Sequence, residues 1–546
     1  MNKRCLLVRT WIAVPLSLMA VLAGCDLHSE RYGLHELGVA SQQVHEIQPL
    51  ELQKAEPNAV PPEPNKPPEK VELSLAQSRA LALENNLALK TALISPAIAG
   101  AQLSAEEAKF EAAFFANLNG NKVNQPAIGA LGEISGSMSE SLGGDFGVQV
   151  PLRTGGLVTF DASDSWNRSN ALGLVSQEYW TSSVSISISQ PLLRNAGQRV
   201  TMYSIRIAAY NRDIVDTRTK LDVITVLAAL DRVYWRLYAA RRELEVRQQQ
   251  YELAQQQLER ARRLVEAGQR AQVEIIRAEA GVADQLQAII ISDNNLRDRE
   301  RELKRVVHKA GLDVQTPTIV IPTTEPDPIR YRLDAASLVP AAVQNRMELL
   351  ELQLQLLQDA SAIDLARNQT LPLATLSYTY NIPAFGATQS DDLDMLFEHD
   401  FYGHTGRLQI VIPLGNEAAK SRLRQYIYTR RQRLATRANR EDIIRQEVLN
   451  AVDQVEANWQ QILAARQTSV LNGRLYEAER RQFEQGLRTS TDVLIAQAQF
   501  ANSQSSEIAA LANYQISLVD MAVATGTLLG SDKIRWEPII PETDAE

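Results

Sequence analysis

The sequence has 546 residues, 45% of them hydrophobic and 22% charged, with 56 Lys and Arg against 65 Asp and Glu for a formal net charge of −9. Charges of both signs are interspersed rather than gathered in blocks, which argues against a nucleic-acid partner. The only two cysteines, Cys5 and Cys25, supply neither a disulfide framework nor a thiolate metal site.

Lys3, Arg4 and Arg9 precede an apolar run from Trp11 to Leu22, which ends in Leu22-Ala23-Gly24-Cys25. A charged start, a short apolar stretch and small residues at a cleavage point read as a secretory leader over residues 1–24. The run is shorter than the ~20 residues that a bilayer span requires. Leu-Ala-Gly-Cys resembles the lipobox of bacterial lipoproteins, which implies cleavage before Cys25 and covalent lipid on that residue, with no other cofactor. Asp26 follows directly, a residue that in enteric bacteria tends to hold lipoproteins at the inner membrane. Residues 25–70 then read as a lipidated N-terminus and a tether, since PNAVPPEPNKPP (57–68) holds six prolines without an apolar period.

A first repeat is expected over residues 71–311. It opens with a helix near 82–91 and passes to a β region with strands at about 145–165, bent at Thr154-Gly155-Gly156, and at 180–190. In TSSVSISISQ (181–190), Val184, Ile186 and Ile188 alternate with serines, giving one apolar face and one hydroxyl face. Trp166, Tyr179 and Trp180 cluster there, as aromatics do at a membrane interface. A stretch free of Pro and Gly runs from Arg199 to Glu266, with Leu230, Leu237, Leu244, Tyr251, Leu258 and Val265 every seventh residue. Val226, Val233, Ala240, Ala254 and Ala261 form a second row. Such a helix is roughly 100 Å long. It ends at GQRAQVEIIRAEA (268–280), where the chain turns into a return helix over 271–310.

Residues 312–332 read as a linker, and 333–530 repeat the plan. LALENNLAL (81–89) returns as AAVQNRMEL (341–349), and ISQPLLRN (188–195) as VIPLGNEA (411–418), with Pro191 falling on Pro413. The second half holds helices over 335–368, strands at about 374–382 and 404–413, a long helix over 417–485, a turn GLRTSTDVLIAQA (486–498) and a return helix over 490–529. A tandem duplication accounts for this order. The first half is longer by nearly forty residues in and around its β region. Residues 531–546 form a C-terminal tail.

The expected fold class is therefore mainly α with a small β part: long antiparallel helical hairpins joined to four strands. Alternation alone fits either a membrane barrel wall or a soluble sheet with one wet face. Four strands cannot close a barrel, for which about eight are needed, so in a membrane several chains have to share one.

The lipobox, the two halves, QPLLRNAG (190–197) leading from strand to helix, and GLRTSTDVLIAQA together resemble the TolC-like outer-membrane efflux protein family, over about residues 72–530. The resemblance implies a homotrimer whose four strands per chain make a twelve-stranded outer-membrane barrel continuous with a periplasmic tunnel of twelve helices. It implies a passive channel that moves solutes, with a periplasmic adaptor and an inner-membrane transporter as partners and outer-membrane lipid around the barrel. Drugs, metal ions and a secreted polypeptide all remain open as cargo. The rival reading is a non-conducting trimeric coiled-coil spacer or adhesion stalk.

Both Gly-x-Arg turns fall at the far ends of the long helices. The resemblance places a gate there, formed by Arg488, Glu274, Asp492 and Arg270, with an Arg488 to Glu274 link within or between chains and Asp492 in an acidic ring. It places adaptor docking at Gly268, Gly486 and Leu487. Two positions depart from the pattern: Ile495 stands where a second acid is expected, and Phe483 where a hydrogen-bonding Tyr is. The strand-joining loops expected at 163–179 and 381–404 carry Asp391, Asp392, Asp394, Glu398, His399, Asp400 and His404 without compact ligand spacing, so no metal is assigned. His308 reads as a capping or solvated side chain. No hydrolase, metalloprotease or phosphate-loop motif is present, and no enzyme activity is expected.

Overall fold

A computed structural model describes residues 69–128, 134–170 and 177–534. The leader, Cys25, Asp26, nearly all of the tether, and residues 171–176 of the first expected loop lie outside the described residues, as does the tail beyond 534.

The chain begins with strand β1 (Lys70–Leu73) and helices α1 (Leu75–Asn85) and α2 (Leu87–Glu107). Strands β2 (Ala113–Ile128), β3 (Ile134–Pro151), β4 (Leu157–Asn170) and β5 (Gln177–Pro191) follow. A single turn α3 (Gln198–Thr201) leads into α4 (Tyr203–Glu266), and α5 (Val273–Val307) returns beside it. The second half runs through β6 (Ile319–Pro322), α6 (Ala335–Asn345), α7 (Met347–Gln369), β7 (Leu373–Gly386), α8 (Gln389–Glu398) and β8 (Gly403–Val411). It ends with α9 (Glu417–Glu484), α10 (Ser490–Ala524) and the short α11 (Leu528–Ser531).

Helices α4 and α9 have 64 and 68 residues, while their return partners α5 and α10 have 35 each. The partners therefore cover only about half of the long helices, at ~1.5 Å per residue. The other half is covered by α2 and α7: α2 packs on α4, and α7 packs between α4 and α9. Nearer the turns the neighbours run α5, α4, α10, α9, so every level of the unit is four helices wide.

Leu230 and Leu237 of the seven-residue row are fully buried, whereas toward the turn the fully buried positions are Ala254 and Ala261. A straight helix drifts by ~20° per heptad against a strict seven-residue repeat. The contact face thus passes from the leucine row to the small-residue row along α4. On α9, Val448, Val455 and Ile462 are all buried against α6, α7 or α10.

The linker carries an element that composition did not signal: β6 pairs in parallel with β1, Lys70 opposite Ile319 and Leu73 opposite Pro322. This pair sits on the mid-section of α4, where Leu73 and Val320 join Leu230, Leu237 and Leu303 in one cluster.

Against the four strands expected per chain, the main sheet has six among the described residues, in the order β2-β3-β4-β5-β7-β8, all antiparallel. The expected single strand at 145–165 is two strands, β3 and β4, joined by a tight turn in which Leu152 N donates to Gly156 O and Gly155 takes φ +93°. β2 and most of β3 show no clear period in the sequence because Asn, Gly and Ser in NLNGNKVNQ and ISGSMSESLGG dilute the apolar alternation. The extra residues of the first half are accounted for by this additional pair of strands.

Directly opposed residues share a face, so the registers trace rows across the sheet. Phe114, Val148, Phe160, Ile186 and Tyr380 form one row, and Ala116, Phe146, Ala162, Val184 and Ile382 the next. On the opposite face run Asn117, Asp145, Ser163 and Ser183, with Ser163 Oγ bonded to Ser183 Oγ at 2.9 Å and Ser185 Oγ donating to Asp161 at 2.7 Å. One face is mostly apolar and exposed, except where Asp164 and Ser182 meet Gln389 and Asp392 of α8; the other is hydroxylated and internally hydrogen-bonded. In the expected loop at 381–404, α8 folds onto the sheet, and its buried Asp392 accepts from the backbone N–H and the hydroxyl of Ser182. No helix of the described residues is long and apolar enough to cross a membrane.

Candidate functional site

The two Gly-x-Arg turns are built alike. At the first, Gly268 has φ +66°, its N–H donates to Val265 O at 2.9 Å, and Gln269 N donates to Leu264 O at 2.9 Å. At the second, Gly486 has φ +83°, its N–H donates to Phe483 O at 3.1 Å, and Leu487 N donates to Gln482 O at 3.0 Å. Both are Schellman ends, in which a left-handed residue satisfies the last carbonyls of a helix; glycine is required because a Cβ disfavours that conformation.

The turns differ in how the return helix begins. Thr489 and Asp492 form a capping box at the start of α10: Asp492 N donates to the Thr489 hydroxyl at 3.4 Å and Thr489 N to Asp492 Oδ2 at 2.9 Å. The Thr489 backbone N–H and hydroxyl hold the Asp492 carboxyl below the usual aspartate range. Helix α5 has no side-chain cap.

The first turn grips the second through two side chains. Arg270 lies over the Phe483 ring, 5.0 Å from its centroid, and donates to the carbonyls of Phe483 at 3.1 Å and Arg488 at 3.2 Å. Glu274 is buried; one carboxylate oxygen accepts from Ser490 N at 2.9 Å and the other pairs with Arg277 at 2.7 Å. A cation therefore sits on the carbonyl end of α9 and an anion on the N–H end of α10, each matching the helix dipole it meets. Tyr476, Phe483, Val493 and Ala496 form the apolar floor beneath them.

Within the chain, Glu274 and Arg488 do not meet. Arg488 folds back on α9, its Nε 3.2 Å from Glu479 and 3.1 Å from Gln482. Leu487 projects into solvent, 73% exposed, and Ile495 is 53% exposed on α10. Glu479 and Gln482 join the site from outside the turn stretches 268–280 and 486–498, and Ser490 and Arg277 from within them, where their partners leave no local signal. Thr489-Ser-Thr-Asp492 has the spacing of a capping box, a signal the sequence reading did not use, whereas a cap supplied by Glu274 from another helix has no local signature. Among the described residues, no group of three His, Cys, Asp or Glu side chains converges as a metal site.

The model of the outer membrane efflux protein family matches residues 157–307 and 338–527, from the first residue of β4 to the end of α5 and from α6 to the close of α10. The chain belongs to this family. No curated protein sequence matches it. Among solved structures, the fold of this outer membrane efflux protein is similar to that of the CmeC outer membrane channel of Campylobacter jejuni, with TM-score 0.61 and 16% identity over 83% of this chain and 86% of that one. VceC of Vibrio cholerae gives TM-score 0.59 and 14% identity over 83% and 96% of the respective chains. MtrE of Neisseria gonorrhoeae, an outer membrane channel in its open state, gives 0.55 and 16% over 83% and 89%. At these identities the likeness is one of fold. In this efflux protein the turns that carry Arg270 and Arg488 fall at the end of the long helices remote from the sheet.

Proposed function

We propose that this protein is a passive export duct of a tripartite pump. Three copies share one β-barrel in the outer membrane and continue it as an α-helical tunnel into the periplasm. A lipid on Cys25 anchors each chain, an inner-membrane transporter supplies energy, and a periplasmic adaptor docks at Gly268, Gly486 and Leu487. The hairpin tips, through Arg270, Glu274, Arg488 and Asp492, form the gate, and the matching halves descend from one duplicated unit.

The observation that carries this reading is the sheet's exposed apolar face. Phe114, Leu118, Leu142, Phe146, Phe160, Ile186, Leu376 and Leu408 are all at least 47% exposed in the single chain. The row Phe114, Val148, Phe160, Ile186 and Tyr380 crosses five strands, and Leu376 faces Leu408 across the last pair; so wide an apolar surface belongs against lipid. Further support comes from the flanks of the helical unit. Ile276, Ile290 and Ile291 on α5, and Leu449, Leu463 and Leu471 on α9, stand exposed on its two outermost helices. Contact between copies covers them. Purified protein reconstituted in a planar bilayer tests the reading: stepwise ion conductance from detergent-extracted trimers is expected, and a soluble, non-conducting rod overturns it.

A further inference from the structure

We propose that the barrel has eighteen strands rather than twelve, closed by pairing of β2 on one copy with β8 on the next. The inference rests on the shared-barrel reading above and concerns how that barrel is closed. β2 and β8 are the two edges of the six-stranded sheet. Among the described residues each has a row of backbone N–H and C=O groups with no partner strand. Lipid tolerates no such row, and six strands are too few to close alone, so the edges have to be covered. The occupant we assign is a second copy of the same chain, because each copy offers both edges needed for a head-to-tail ring.

The alternative that preserves four wall strands per chain folds the β2–β3 hairpin away from the wall and exposes β4 as the edge. Three observations argue against it. β3 is paired with β4 without interruption from Met138 opposite Asn170 to Pro151 opposite Leu157. The hairpin also keeps its apolar residues Phe114, Leu118, Leu142 and Phe146 on the same face as Phe160 and Ile186. Finally, Asn117 donates to Asp145 at 2.7 Å on the face where Ser163 and Ser183 lie. A hairpin outside the wall has no reason to continue both faces in register.

The dimensions agree. Strands spaced ~4.8 Å apart and tilted ~40° occupy roughly 37 Å of circumference when there are six, and roughly 25 Å when there are four. The four helices that continue from the sheet, α2, α4, α7 and α9, occupy roughly 32–40 Å at their usual spacing. Six strands match the four helices beneath them, so the tunnel meets the membrane without narrowing. Barrel diameter grows about linearly with strand number, giving an exit about 1.5 times as wide as a twelve-stranded one. Cargo of larger cross-section than a twelve-stranded wall admits is the consequence.

Disulfide scanning in outer-membrane fractions separates the closures. Cysteines at Asn117 or Asn121 of β2 are combined with cysteines at Thr405 or Gln409 of β8, and a second panel replaces the β2 positions with Asp161 or Ser165 of β4. The expected result is an oxidant-dependent covalent ladder ending at the trimer from β2–β8 pairs and none from β4–β8 pairs. Cross-linking through β4–β8 instead overturns the eighteen-stranded wall while leaving a shared barrel intact. Absence of intermolecular disulfides from both panels overturns the shared barrel as well.

Discussion

The Arg270 guanidinium stacks 5.0 Å from the centre of the buried Phe483 ring and bonds two carbonyls of the neighbouring turn, so one side chain ties both hairpin tips of the chain together. Phe483 offers no hydroxyl, yet its π face supplies what the guanidinium needs.

Replacing Arg270 with Ala removes the ring contact and both hydrogen bonds, a loss of ~1–3 kcal/mol at a partly buried position. If the tips form the gate, single-channel conductance in a planar bilayer rises several-fold. Arg270→Lys keeps the charge but not the planar fork, and should fall between the two. Conductance unchanged in the Ala variant, with the trimer intact, counts against a gating role for this clasp.

Glu274 and Arg488 supply the second test. Within one chain Glu274 bonds Ser490 N and Arg277, while Arg488 pairs with Glu479 and donates to Gln482. The link proposed between them for the gate is therefore one between copies. Arg488→Ser is expected to raise conductance, and so is Glu274→Gln. In the double variant, coupling above ~0.5 kcal/mol between the two effects marks a direct inter-copy pair, and strict additivity removes it.

Much of this architecture was legible because it rests on long repeats of simple chemistry. The heptad leucines, the Pro-Leu steps and the two Gly-x-Arg turns each specify their local conformation, and Gly268 and Gly486 end their helices by the same pair of hydrogen bonds. The strand count was not legible. β2 and β3 present Asn, Gly and Ser on a wet face and scattered apolar residues on the other, so their period is visible only once β4 fixes the register. Nor were the partners of Arg270 and Glu274, because both side chains act on backbone groups more than two hundred residues away.

Small residues at Ala254 and Ala261 let α4 come close to its neighbours near the tips, and neither exposes any surface. Ala261→Leu forces extra methylenes into this seam and should destabilise it by ~1–3 kcal/mol. The same change at Ala267, which caps α4 at the turn, adds no atoms to the seam and serves as the control. Thermal dissociation of the detergent-solubilised trimer, followed on unheated gels, is the measurement. Equal midpoints for the two variants contradict close packing at Ala261.

The last prediction concerns Asp532, just beyond α11. Arg79 is committed to Asp231 through two bonds, at 2.9 and 2.7 Å, and reaches Asp532 at 2.9 Å with a nitrogen it already uses. Burial, with Asp231 adding repulsion against the attraction of Arg79, pushes the Asp532 carboxyl up to about 6. Oδ2 of this carboxyl has no hydrogen-bond partner among the described residues. Between the ordinary aspartate range and about pH 6 the folded state therefore holds a proton that the unfolded chain has lost. Stability falls as pH rises through that window, by on the order of 3 kcal/mol in total, since a tenfold difference in proton affinity between the two states is worth ~1.4 kcal/mol. Asp532→Asn removes the titrating group while keeping its volume. The variant should match the wild type near pH 4 and exceed it above pH 6 in thermal midpoint. If the two curves instead stay parallel from pH 4 to 7, Arg79 satisfies both carboxylates and the raised proton affinity is refuted.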